Sequence, residues 1–274
     1  MKKRVVSCVL AVLVMAASVR APLWARGRQD QGTAAPQALQ ANQNVSILVA
    51  AAASLRNAFE QELIPKFQAK YPHITAEGTY DSSGKLQTQI EQGLEADVFM
   101  SAAVTQMNNL VRGGFVGEAS VRPLLENKIV LIKTAGASTA VIGFQNISAA
   151  GIIALGDPAS VPAGQYAQEI FTSLGIWDGV KAKASLGTNV TEVLNWVGEA
   201  SAEVGVVYAT DAASTGKVEI IAEAPAGSLA SPVIYPVGLV SASAHPEEAR
   251  LFIDFLASAE AQDVFKAYGF SPAR

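Results

Sequence analysis

The chain alternates between two hydrophobic patterns. Short apolar runs rich in β-branched residues predict strands, and apolar residues spaced three or four apart predict helices. The predicted strands are 45–50, 75–80, 97–101, 129–132, 152–155, 204–208 and 233–240. The predicted helices begin at Leu55, pass through 86–93, 166–174 and 193–197, and begin again near Pro246 and Ala259. Pro65 should kink or divide the first helix because it lacks a backbone N–H.

The order of these elements predicts an α/β fold. The first part of the chain has the order strand–helix–strand–helix–strand, which is typical of a doubly wound sheet. Two lobes suit the length of 274 residues better than one sheet. We predict that residues 45–125 and 238–274 form lobe 1 and residues 126–237 form lobe 2. The chain would then cross between them near residues 122–128 and 235–239.

The N-terminal segment has the pattern of an export signal. Three basic residues at 2–4 precede an apolar run at 5–19, and small residues follow at Ala21 and Ala25. We predict a Sec-type signal peptide over residues 1–25, a flexible tether over 26–44, and a periplasmic or otherwise extracytoplasmic mature protein. The single cysteine, Cys8, lies in the apolar run. An uncleaved membrane anchor is the alternative.

Composition and charge exclude several function classes. Hydrophobic residues make up 50% of the chain, which excludes a disordered protein. The net charge is −4, and beyond residue 44 there are 14 basic residues against 23 acidic ones. This charge disfavours nucleic-acid binding, and a bound anion would need local dipoles. One cysteine and two histidines (His73 and His245) leave little for zinc or for a histidine-based enzyme.

The candidate chemistry lies where predicted helices begin. Four segments each precede a predicted helix: residues 51–54, 80–84, 157–164 and 187–190. Helix N-termini offer free N–H groups and a partial positive charge to anions. Each feature also has a plain structural interpretation. Ser54 could simply cap a helix, residues 162–164 could be a turn, and Tyr208 could be a core aromatic. We interpret Asp97 as fixing a turn and both histidines as solvated.

Taken in order, six segments carry a family resemblance. Residues 51–55, 81–84, 95–102, 156–167, 204–208 and 268–270 resemble the periplasmic molybdate-binding proteins of ABC transporters. The resemblance covers about residues 45–270. It implies a two-lobed type II solute-binding fold, in which each lobe is a doubly wound mixed sheet flanked by helices and two hinge crossovers join the lobes. It also implies capture of molybdate or tungstate between the lobes and delivery to an ABC permease with a cytoplasmic ATPase.

The resemblance also implies a binding site. Carried over by position, the ligand residues are Ser54, Ser83, Ala163, Val190 and Tyr208. Serine and tyrosine would donate hydroxyls, and Ala163 and Val190 would donate backbone N–H groups. These residues would hold the metal only as molybdate, through its oxygens. No further cofactor is implied, and we expect a monomer that binds no nucleic acid. Lys85 departs from the family pattern and could attract the anion or point to solvent.

A site made only of neutral donors suits a fully deprotonated oxyanion. Molybdate oxygens near neutral pH only accept hydrogen bonds, whereas phosphate is partly protonated and benefits from an acceptor. None of the five positions is an aspartate. Sulfate differs from molybdate mainly in size. The donors themselves should not titrate between about pH 6 and pH 9.

Other classes fit the sequence less well. A hydrolase would need a base beside Ser54 or Ser83, and neither histidine is well placed, so we predict no enzyme activity. An adhesion module would explain the export signal but not the ordered motifs. A receptor for another oxyanion, such as sulfate, or for a small organic ligand is the alternative function.

Overall fold

The computed structural model describes residues 44–273. The predicted signal peptide, Cys8 and all but the last residue of the predicted tether lie outside this range. Within it, no helix has both the length and the apolar character that a membrane crossing requires.

Eleven strands form two mixed sheets within the described residues. In chain order the strands are β1 (Val45–Ala52), β2 (Ile74–Asp81), β3 (Val98–Met100), β4 (Arg122–Asn127), β5 (Ile129–Thr134), β6 (Ile153–Gly156), β7 (Ala184–Gly187), β8 (Val204–Tyr208), β9 (Val218–Glu223), β10 (Val233–Leu239) and β11 (Ser271–Pro272). The first sheet has the order β11-β4-β10-β3-β1-β2, and the second has the order β7-β6-β8-β5-β9. The first lobe is the part built on the first sheet, and the second lobe is the part built on the second.

Each sheet has a parallel part and an antiparallel part. β1 pairs in parallel with β2 and β3, while β10 runs antiparallel to β3 and β4. In the second lobe β6 is parallel to β7 and β8, and β5 is antiparallel to β8 and β9. The predicted α/β class with a mixed sheet in each of two lobes is confirmed. β4, β7, β9 and β11 were not among the predicted strands.

Ten α-helices flank the sheets in the described residues. They are α1 (Arg56–Ala58), α2 (Ile64–Lys70), α3 (Ser83–Glu91), α4 (Val104–Arg112), α5 (Pro162–Ser173), α6 (Trp177–Lys181), α7 (Val190–Gly198), α8 (Ala209–Ala213), α9 (Pro246–Leu256) and α10 (Ala259–Ala267). Successive β1 residues point to opposite faces. Val49 and Ala51 pack in the core that contains Phe59 and Phe252, and Ala50 packs on the other face with Leu86. Helices therefore cover both faces of the first sheet.

Pro65 does not end its helix. A π turn at Phe59–Leu63 lies between α1 and α2, and the Ile64 N–H bonds to the Phe59 carbonyl. Pro65 follows this π turn as the second residue of α2. The predicted interruption is thus a local change of helical winding, and the helical path continues to Lys70.

The strand pairing locates the passages between lobes. Lys128 alone separates β4 in the first sheet from β5 in the second. The return runs through residues 224–232, between β9 and β10, and not through residues 235–239 as predicted, because those residues pair with β3 and β4. We propose these two links as the lobe boundaries in place of 125/126 and 237/238.

Candidate functional site

All five predicted ligand residues line one cavity between the lobes. The first lobe contributes Ala52, Ala53, Ser54, Asp81, Ser82, Ser83 and Ala102, and the second contributes Val161, Pro162, Ala163, Val190 and Tyr208. The cavity encloses about 10 Å³, room for about one water molecule. Residues more than 150 positions apart along the chain therefore meet around one cavity.

Ser54 lies in a short 3₁₀ turn that directly follows β1. The turn is Ala53–Leu55 and its N-cap is Ala52, so the interpretation of Ser54 as a helix cap is wrong. Its Oγ lies 3.0 Å from the Oη of Tyr235 on β10. The hydroxyl therefore has a partner within the first lobe and also borders the cavity.

Ser83 is the first residue of α3, and its hydroxyl is completely buried. The preceding Ser82 is the N-cap, and its side chain accepts the Lys85 N–H at 3.4 Å. Ser83 Oγ accepts the Ala102 N–H at 3.0 Å. Because that bond uses a lone pair, the Ser83 proton remains available for donation to the cavity.

Two helix N-termini of the second lobe border the cavity. Pro162 begins α5 and Val190 begins α7. The Asn189 side chain caps α7 by accepting the Glu192 N–H at 3.0 Å. The N–H groups of Ala163 and Val190 lie in first turns, so they have no acceptor within their own helices. Each terminus also carries about half an elementary positive charge.

Tyr208 ends β8 and is 1% exposed. Its hydroxyl donates to the Ala102 carbonyl of the first lobe at 3.3 Å. Burial, together with the nearby Tyr235, raises the pKa of Tyr208 well above its ordinary value. The hydroxyl therefore keeps its proton throughout the neutral range and acts as a donor.

Asp81 also lines the cavity, and the sequence analysis did not identify it as a site residue. Its Oδ1 accepts the Ser82 N–H at 2.7 Å and the Asn189 side-chain amide at 3.3 Å, and Lys85 Nζ lies 3.4 Å away. Lys85 thus neither points freely to solvent nor faces the cavity as a separate cation. It neutralises the carboxylate, which also accepts from the two neutral donors Ser82 and Asn189.

Hydrogen bonds join the two lobes around the cavity. The Gly84 N–H donates to the Ser160 carbonyl at 2.9 Å. The Gln106 side-chain amide donates to Gln165 Oε1 at 3.1 Å. With the Tyr208–Ala102 and Asn189–Asp81 bonds, these contacts describe a closed arrangement in which both lobes cover the cavity.

The sequence also matches one protein family over nearly all of the described residues. The family is described as bacterial extracellular solute-binding protein, and the match covers residues 47–271. The chain belongs to this family. Its members bind solutes outside the cytoplasm, and the two-lobed fold and the interlobe cavity suit that role.

Individual relatives of this solute-binding protein come from several bacteria. A Bacillus subtilis (strain 168) protein named "Putative ABC transporter substrate-binding lipoprotein YvgL" is 41% identical over 83% of this chain and 86% of its own length. The molybdate-binding protein ModA of Haemophilus influenzae is 36% identical over 83% and 91%. The structure of the Azotobacter vinelandii periplasmic molybdate-binding protein has a TM-score of 0.72 at 22% identity, over 83% and 100% of the two chains. This last similarity supports the fold.

The remaining candidate residues of the solute-binding protein lie away from the cavity. The Asp97 carboxylate accepts the Leu48 N–H at 2.8 Å and the Ser243 hydroxyl at 2.6 Å, which agrees with its predicted turn-fixing role. His73 and His245 are half-buried and do not line the cavity. Among the described residues, no group of three or more His, Cys, Asp or Glu side chains is arranged to hold a metal ion.

Asp211 is a buried acid behind the site, in the first turn of α8. Burial raises its pKa from 3.8 to about 7, although the Tyr208 N–H, which donates to it at 3.3 Å, opposes the shift. The sequence analysis missed this residue because Thr210-Asp211 carries no recognisable motif. Asp211 therefore titrates in the range where the five proposed donors do not.

This pKa makes the stability of the solute-binding protein pH-dependent. The folded state holds the Asp211 proton more tightly than the unfolded state does. The protonated side chain therefore adds to the free energy of unfolding in full below about pH 4, and this gain is lost as pH rises to about 7. We expect the free energy of unfolding of the parent, relative to Asp211→Asn, to fall by about 3 kcal/mol between pH 5 and pH 8. Urea unfolding of both proteins at each pH measures this. A constant difference would contradict the assignment.

Proposed function

We propose that this solute-binding protein captures molybdate, and tungstate, in the interlobe cavity. The ligand oxygens would accept hydrogen bonds from the hydroxyls of Ser54, Ser83 and Tyr208 and from the backbone N–H groups of Ala163 and Val190. Tyr208 has one proton, so on binding it would turn that proton from the Ala102 carbonyl to the ligand. The metal would be held only through its oxygens, and no further cofactor is needed.

One observation carries this proposal: five potential donors from both lobes border a single small cavity. Burying a dianion is costly unless hydrogen bonds satisfy it thoroughly. Donors from both lobes would supply those bonds only when the lobes are closed. Capture and closure would therefore be one event.

The charges of the residues that line the cavity support a fully deprotonated ligand. Asp81 is the carboxylate that lines the cavity, and it accepts hydrogen bonds from Ser82, Lys85 and Asn189. A ligand that carries a proton, such as hydrogen phosphate, needs an acceptor at that proton. Oδ1 of Asp81 already accepts from three donors, so it is a poor acceptor for that proton. The name of the Haemophilus influenzae relative agrees with this choice of ligand.

The family role supports delivery of the bound solute to a membrane transporter. We propose that the loaded protein acts outside the cytoplasm as a monomer, after export by a Sec-type signal. It would pass the oxyanion to an ABC permease that is driven by a cytoplasmic ATPase. The name of the Bacillus subtilis relative, which refers to an ABC transporter, supports this partner.

The proposal is tested by thermal unfolding with matched oxyanions. We expect molybdate and tungstate at about one hundred times their dissociation constant to stabilise the protein by about 2.7 kcal/mol, because they bind only the folded form. For a chain of this size that is a rise in Tm of roughly 5–10 °C. Sulfate and phosphate at equal concentration should do little. Equal shifts with phosphate, or none with molybdate, would overturn the proposal.

A further inference from the structure

Behind Ser54 a chain of hydrogen bonds leads to the link between the lobes. Tyr235 is fully buried, and its Oη lies 3.0 Å from Ser54 Oγ. The same Oη lies 3.2 Å from the side-chain amide nitrogen of Asn127. Asn127 is the last residue of β4, immediately before Lys128. Neither Asn127 nor Tyr235 lines the cavity.

The orientation of the Asn127 amide is determined by its neighbours. Its Oδ1 accepts the Lys128 backbone N–H at 2.8 Å, and a flipped amide would set two donors against each other there. Nδ2 therefore faces the other side. Its two N–H bonds go to Thr210 Oγ1 at 2.9 Å and to Tyr235 Oη at 3.2 Å.

This orientation favours one direction for the bond between Tyr235 and Ser54, in which either oxygen could be the donor. Because Tyr235 Oη accepts a hydrogen bond from Asn127, its own proton is free to be donated to Ser54 Oγ. Ser54 Oγ then accepts, and the Ser54 proton remains for the cavity. Burial raises the pKa of Tyr235 well above its ordinary value, so this proton is retained at neutral pH.

We propose that Asn127 and Tyr235 are positioning residues that make the Ser54 hydroxyl a hydrogen-bond donor toward the ligand. This inference rests on the proposed binding of an oxyanion at Ser54. Ser83 is oriented in the same way by the Ala102 N–H. Both serines therefore present protons to the cavity, which favours an anion whose oxygens are all acceptors over one that carries a proton.

The experiment is a double-mutant cycle measured by calorimetric titration with molybdate. We expect Tyr235→Phe to weaken binding about tenfold, because the ring remains while the orientation of Ser54 is lost. Ser54→Ala should weaken binding at least as much. If Tyr235 acts through Ser54, adding Tyr235→Phe to Ser54→Ala should change the affinity by less than twofold. If the role of Tyr235 is purely structural, Tyr235→Phe should weaken molybdate binding by the same factor in the parent and in Ser54→Ala.

Two further variants make the test independent of folding defects. Asn127→Ala retains both Ser54 and Tyr235, and we expect it to weaken binding several-fold in the parent background but not in Ser54→Ala. Tyr268→Phe is the matched control, since its hydroxyl donates to Gln61 Oε1 at 2.8 Å, outside the cavity, and it should bind like the parent. Apo melting curves establish that each variant is folded.

The outcomes separate this inference from the proposed function. If the parent fails to bind molybdate, or Ser54→Ala binds as tightly as the parent, the proposed site is wrong and the inference is wrong with it. If Ser54→Ala weakens binding but Tyr235→Phe and Asn127→Ala do not, only the inference is overturned. Full additivity of Tyr235→Phe and Ser54→Ala would overturn it as well.

Discussion

Gly84→Ala is expected to weaken molybdate binding roughly tenfold to a hundredfold while leaving each lobe folded. Gly84 approaches the second lobe so closely that a Cβ would lie 2.4 Å from the Ser160 carbonyl oxygen and 2.8 Å from its Cα. Both atoms belong to the backbone, so no side-chain rotation relieves the contact. Overpacking of this kind costs about 1–3 kcal/mol. The unliganded protein avoids that cost by opening, so the cost falls on the closed, ligand-binding state.

Calorimetric titration and small-angle X-ray scattering check this expectation together. The variant should have a larger radius of gyration than the parent at the same molybdate concentration. Gly179→Ala is the matched control, because a Cβ on this exposed helical glycine would meet nothing within 4 Å. Parent-like affinity of Gly84→Ala would mean that the approach of Gly84 to Ser160 is not needed for binding.

Tyr208→Phe and Ser83→Ala should both weaken binding strongly but differ in stability. Each removes a hydroxyl proposed to bond a buried anion, which costs about 1.5–3 kcal/mol, or roughly tenfold to more than a hundredfold in affinity. Tyr208→Phe keeps the ring packed edge-on at 5.5 Å from Tyr235. Ser83→Ala also leaves the Ala102 N–H without the Ser83 acceptor. This should lower the free energy of unfolding of the apo protein by about 1–3 kcal/mol.

Titration with molybdate, together with urea unfolding of the apo proteins, separates the two effects. Tyr208→Phe should lose only the 3.3 Å bond to Ala102 in the apo state, so its unfolding curve should lie closer to that of the parent. If both variants bind like the parent, the hydroxyls serve structure alone, and the five-residue site is wrong.

Six of the seven predicted strands lie inside a sheet, and the seventh, β2, lies at an edge. β1, β5 and β8 are apolar runs. β1 and β5 begin where predicted and extend two residues further, and β8 has the predicted bounds. β4 was missed because Arg122, Pro123 and Glu126 interrupt its apolar pattern. β9 lies at a sheet edge, where half of its residues meet solvent and the pattern is diluted.

The site was predictable only at the level of single positions. The resemblance pointed to Ser54, Ser83, Ala163, Val190 and Tyr208, and these residues line one cavity. Their roles as ligands stay a prediction. The partners that orient them come from distant parts of the chain, as with Ser54 and Tyr235, which are 181 positions apart. No local pattern encodes such a pairing, because it depends on how β1 and β10 lie in one sheet.

The position of β10 determines the order in which a nascent chain can complete its lobes. β5 to β9 are contiguous in sequence, so the second sheet has all its strands once Glu223 has been synthesised. The first sheet cannot join β4 to β3 until β10, which lies between them, has also emerged. A fragment that ends before Val233 could therefore contain a whole second lobe, but its first lobe would lack the strand that connects its two halves.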